Sequence, residues 1–128
     1  MKTIIRIEHE DGNGMFRKKI ERFAVGDYTD NILLNNLWER HDACNKGGMP
    51  VPYNDGIDLW KNRKEWFLGF KSMEQFNQWC LPEEVKELLK LGFKVLMIDV
   101  EEYQEGGCQI AFTKDTILQQ KDISSLFV

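Results

Sequence analysis

The sequence predicts one α+β domain spanning residues 1–128, a small, partly antiparallel sheet core with two or three helices packed on it. Three observations carry that reading. Short apolar runs at residues 3–9, 66–70, 93–100 and 108–112 are too brief for helices and are bounded by turn residues. Segments of helical period lie between them, and no repeat or linker divides the chain. With 42% hydrophobic residues, including eight Phe and four Trp, the chain can bury a core without disulfides or a structural metal.

In residues 3–9, Ile5 and Ile7 share one face and Arg6 and Glu8 the other, the period of a half-buried strand. Asp11-Gly12-Asn13-Gly14 reads as a tight turn because Gly and Asn tolerate positive φ. Thr29 or Asp30 can cap a helix running to about His41, with Leu33, Leu34, Leu37 and Trp38 on one stripe that faces the core. Residues 43–58, rich in Gly and Pro, read as a long loop, and loops of that length in compact domains are often functional.

Residues 66–70 form the next strand, after which Ser72 and Gln75 make a capping-box pattern ahead of Phe76 and Trp79. Pro82 opens a further helix that Gly92 ends, with Glu83, Glu84 and Glu87 on its solvated face. The near-continuous apolar run 93–100 suits a central strand covered on both sides. Residues 101–107 turn the chain, 108–112 give another strand, and the pattern from Thr113 onward is ambiguous.

A net charge of −4 and dispersed basic residues, apart from Arg17, Lys18 and Lys19, argue against broad nucleic-acid binding, which needs a cationic face. Cys44, Cys80 and Cys108 are odd in number and widely spaced, which points to a reducing cytoplasm rather than a secreted disulfide framework. No apolar stretch reaches membrane-spanning length, so no membrane partner is expected. His41 and Cys44 have a spacing compatible with metal coordination, but a second pair is absent and no metal is expected.

The sharpest constellation is Arg6 on the first strand, Ser72 just after the middle one and Gln109 opening the late one, three polar residues expected to converge on one cleft. A strand-borne arginine suits bidentate binding of a phosphate or carboxylate because a rigid element holds its planar fork. The plainer alternative makes Ser72 a helix cap and Gln109 an exposed strand residue. Gly12 and Gly14 followed by Arg17 could form a phosphate nest, or a strand-ending turn with a solvated basic edge.

Arg6-x-Glu8, Gly12-x-Gly14-x-Phe16-Arg17, Pro50-x-Pro52-x-x-Asp55-Gly56, Leu68-Gly69-Phe70-x-Ser72-x-Glu74-Gln75-Phe76, Leu91 to Val95 and Gln109-Ile110-x-Phe112 together resemble a widespread set of small phage and prophage proteins. Their order of strand arginine, strand-serine-helix and late polar-led strand is similar to the ADP-ribosyltransferase superfamily. That resemblance implies an NAD cleft between two small sheets, in which Arg6 contacts phosphates or ribose and Ser72 supports the site. Gln109 stands at the position of the family's glutamate and carries no charge to stabilise the developing cation, so Glu102 or Glu105 would have to supply it.

Three function classes follow. The leading expectation is a phage accessory protein of the host cytoplasm with an ADP-ribosyltransferase-like NAD or nucleotide site, enzyme or pseudoenzyme. Its binding residues would be Arg6, Ser72 and Arg17, with Tyr53 or Trp66 stacking on the ligand. The competing expectations are an inert protein-binding module, such as an inhibitor of a host or defence protein, and a structural virion or assembly component. An exposed aromatic patch outside any cleft would favour the binding module.

Overall fold

The structure is a computed structural model that describes residues 1–12, 14, 32–41, 50 and 52–128. In chain order its elements are β1 (Lys2–His9), α1 (Ile32–His41), β2 (Phe67–Gly69), α2 (Met73–Trp79), α3 (Pro82–Lys90), β3 (Phe93–Val100), β4 (Tyr103–Glu105), β5 (Ile110–Phe112) and β6 (Ile117–Asp122). Short 3₁₀ turns cover Pro52–Asp55, Lys61–Arg63, Lys114–Thr116 and Ser124–Phe127. The α+β expectation holds: among the described residues two antiparallel three-stranded sheets, β1-β3-β6 and β2-β5-β4, accompany three helices.

Strand β3 is central because its apolar run meets cover on both sides. Val95 and Met97 join Ile5 and Ile7 against Phe76, Val85 and Leu88 of the helices. Leu96, Ile98 and Val100, with Ile4, face Ile110 and Phe112 of the second sheet. The molecule is therefore layered as helices, first sheet, second sheet. Alternation along β1 sends Ile5 and Ile7 to the helices and Ile4, Arg6 and Glu8 to the space beside the second sheet.

The sheets meet at a corner where Ile5 and Phe70 exchange backbone hydrogen bonds of 3.1 and 2.7 Å. Gly69 permits this approach: a Cβ there would overlap Ile4 Cγ2 and lie 3.0 Å from the Ile5 carbonyl oxygen. On the outer face of the second sheet, Ala111 and Leu68 pack with Ile57 and Trp66 in a smaller cluster.

Several elements differ from the sequence reading. Within the expected turn 101–107 the chain forms β4, a three-residue edge strand whose half-exposed side chains leave no apolar alternation to read. The ambiguous end forms β6, likewise an edge strand, exposed along most of its length and bulged opposite Asp99 and Val100. Glu84, expected on a solvated face, is 1% exposed and paired with Arg40 of α1 through bonds of 2.5 and 3.2 Å. That pair ties α1 to α3, and Glu84 also accepts the Leu81 amide at the start of α3. The expected caps at Thr29 and Asp30 lie outside the described residues, while Leu37 is buried as expected.

Candidate functional site

Arg6 is 5% exposed and is held by its surroundings on β1. Its Nε donates to Glu8 Oε1 at 3.0 Å, Nη1 to the Leu68 carbonyl at 2.6 Å and Nη2 to the Gly12 carbonyl at 3.3 Å. The guanidinium also lies 5.3 Å from the Phe67 ring centre and 5.8 Å from that of Phe112. Lys114 completes the group, 2.8 Å from Glu8 Oε1 and 4.2 Å from the Phe67 ring centre. In this low-dielectric gap the arginine fork joins β1, β2 and the turn at Gly12, with Glu8 compensating its charge.

Gln109 is buried on a different side. Ile110 and Phe112 point between the sheets, whereas Ala111 points outward to Ile57 and Trp66, so Gln109 shares the outward face. Its Nε2 donates to the Pro50 carbonyl at 2.7 Å, and its backbone N–H donates to Asp55 Oδ2 at 2.9 Å. Arg6 and Gln109 are thus separated by the second sheet rather than gathered in one cleft.

Ser72 is exposed and caps α2 by accepting the Gln75 amide at 3.1 Å. The box is shifted by one residue, because Gln75 Oε1 accepts from the Lys71 amide at 2.7 Å. Gln75 Nε2 donates to the Cys108 carbonyl, which brings α2 close to the backbone beside Gln109.

Glu102 is paired with Lys64, whose own pKa is raised chiefly by that hydrogen bond. Glu105 bridges Lys2 at 3.1 Å and Lys71 at 3.6 Å, and the Lys2 contact holds its carboxyl below the usual range. Both are surface or half-buried ion pairs. Trp66 is buried with its Nε1 donating to the Lys61 carbonyl at 2.9 Å, so its ring belongs to the core rather than to a stacking platform. Tyr53 is 86% exposed, and Arg17 lies outside the described residues.

The polar groups of Arg6 and Gln109 are taken up within the protein. The arginine fork is committed to Glu8 and two carbonyls, and the glutamine faces outward from the opposite side of the second sheet. No chemical step through a nicotinamide follows from this arrangement. Among the described residues no cluster of His, Cys, Asp and Glu is arranged to hold a metal, and no helix is long and apolar enough to cross a membrane.

A different feature emerges on the outer side. Trp60 is 88% exposed, and with Tyr53 and Leu59 it belongs to the segment 52–63. That segment is fastened to the second sheet through Asp55 and Asp58. The Asp55 carboxylate accepts the Cys108 and Gln109 amides, each at 2.9 Å, while its own carbonyl accepts the Gly107 amide at 3.1 Å. Gly106 allows the approach, since a Cβ there would lie 2.5 Å from Asp55 Oδ2 and 2.6 Å from Asp55 O.

Further along, Gln104 of β4 clamps Asp58, accepting its amide at 3.0 Å and donating to its carbonyl at 2.8 Å. Asp58 Oδ1 in turn accepts the Trp60 amide at 2.9 Å. A large aromatic side chain is therefore presented to solvent on backbone that is already ordered. Sequence reasoning singled out the loop and Tyr53 but missed Asp55, Gln104 and Trp60. The available signals were the Asp55-Gly56 turn pair and an isolated tryptophan beside charged residues in Trp60-Lys61-Asn62-Arg63-Lys64.

The chain belongs to the family described as Bacteriophage T4 Y00F protein, whose model matches residues 1–125. Comparison with curated proteins and with solved structures gives no match.

Proposed function

We propose that this phage-family protein is a protein-binding accessory module that engages a host-cell protein through segment 52–63. The observation that carries the reading is Trp60, 88% exposed on a segment anchored through Asp55 and Gln104. A tryptophan side chain exposed to this extent is available to a partner, and tryptophan and tyrosine are enriched among the residues that dominate binding energy. Prior ordering of the backbone reduces the entropy lost on docking. The module acts by occupying a surface of its partner and carries out no covalent chemistry.

The nucleotide reading asks Arg6 to offer its fork to a phosphate, but that fork is engaged with Glu8, Leu68 and Gly12. Binding therefore accounts for the exposed residues with fewer rearrangements. The test is affinity purification of the intact protein from infected host cells, followed by titration with the purified partner. Trp60→Ala should weaken that complex at least tenfold, the loss of about 1.4 kcal/mol. Equal affinity of Trp60→Ala and wild type would overturn the reading, as would a melting-temperature rise with NAD that Arg6→Ala abolishes while retaining its fold.

A further inference from the structure

The residues flanking Trp60 specify the chemistry of its partner, an inference that rests on the protein-binding reading. Lys61 and Arg63 are both exposed, and among the described residues neither stands in an ion pair. Their neighbours are balanced differently. Lys64 is held by Glu102 and lies 3.7 Å from Asp115, while Asp58 and Glu65 are exposed acids that flank the turn, Asp58 accepting the Trp60 amide. Lys61 and Arg63 are therefore exposed cations beside Trp60 whose charged groups are not taken up by an ion pair among the described residues.

The backbone adds an independent observation. Asn62 and Arg63 have φ of 58° and 56°, consecutive left-handed residues with a Cβ. The Arg63 amide nevertheless donates to the Trp60 carbonyl at 3.1 Å, and the Lys64 amide to the Lys61 carbonyl at 3.3 Å, so the turn is closed. Glycine would adopt this conformation with less steric cost. Keeping a long cationic side chain at Arg63 thus retains local strain together with an exposed fork, the combination associated with functional segments.

We infer that the partner presents an acidic protein segment to this turn, with its carboxylates on Arg63 and Lys61 and an apolar group on Trp60. Arginine suits this role because its fork takes a carboxylate bidentately, whereas lysine contributes a point charge. A nucleic-acid strand is the poorer occupant. Its binding depends on releasing counterions from many phosphates, and two cations on an acidic protein neutralise few. Specificity then lies in charge at the rim and affinity in the tryptophan at the centre.

The experiment pans a random peptide library on the intact protein and on its Trp60→Ala variant. Peptides enriched on wild type over Trp60→Ala should be rich in Asp and Glu, and a synthetic copy of one should lose roughly tenfold or more in affinity to Arg63→Glu and to Lys61→Glu. Arg63→Gly separates function from folding: it should keep or raise the melting temperature while weakening the peptide. Enrichment of neutral or basic peptides, or unchanged affinity in both charge reversals, overturns the acidic-partner inference and leaves the Trp60 surface standing. Absence of enrichment over Trp60→Ala overturns both. Tighter binding of an oligothymidylate than of the peptides, steeply weakened by salt, would replace the protein partner with a nucleic acid.

Discussion

Replacing Asp55 by alanine should loosen segment 52–63 while leaving the two-sheet core in place. In the native protein one carboxylate accepts two amides, from Cys108 and Gln109, at 2.9 Å. Hydrogen bonds to a charged acceptor contribute about 1.5 to 3 kcal/mol each, with values near the lower end fitting a half-buried acceptor. Alanine also leaves the Cys108 and Gln109 amides without their acceptor. The expected cost is about 2 to 4 kcal/mol of unfolding free energy, read as a lower urea midpoint at unchanged slope. Asp55→Asn, which keeps one acceptor oxygen, should lose roughly half as much. Hydrogen exchange should accelerate at 52–63 and at the β4–β5 connection but not in β3. A loss below about 0.5 kcal/mol, the range of an ordinary surface substitution, would refute the clamp.

Other substitutions test the rest of the framework. Arg6→Ala should destabilise by about 3 to 5 kcal/mol in chemical denaturation, because Glu8 would keep a buried charge with Lys114 alone beside it; a change under about 1 kcal/mol would mean that Arg6 does not tie the sheets together. Gly69→Ala should cost roughly 1 to 3 kcal/mol, since the new methyl meets Ile4 and the Ile5 carbonyl where the sheets join; a neutral effect would contradict that corner. His41 is lowered below its ordinary pKa by burial, against which its Nε2–H bond to the Trp79 carbonyl acts in the raising direction. The unfolded state therefore binds the proton more readily, and this group's contribution to stability should fall as pH drops below about 6.5, reaching its limit below the folded-state pKa. His41→Gln should flatten that part of the stability profile, and an unchanged slope would assign it to another group.

Much of the fold was legible because apolar period and burial agree. The run 93–100 reads as a covered central strand and becomes β3, and Ile5 with Ile7 marks the helix-facing side of β1. Ser72 is also legible as a cap, since hydroxyl-to-amide geometry is local in sequence. Arg6 and Gln109 illustrate the limit. Alternation fixes the side to which each points within its own strand, but only the packing of the second sheet decides whether those sides meet. Glu84 misled for the same reason: an acidic residue in a first helical turn looks solvated until Arg40, 44 positions earlier in the chain, arrives beside it. Asp55 is clamped to amides more than fifty positions later, a tertiary event with no sequence period.

Hydrogen exchange on the intact protein, with and without saturating purified partner, tests the central claim most directly. The protein-binding account predicts slowed exchange across 52–63, including the Trp60, Lys61 and Arg63 amides, with little change around Arg6 and Phe112. Protection confined to β1, β2 and β5, with 52–63 unchanged, would contradict it and return attention to the space between the sheets.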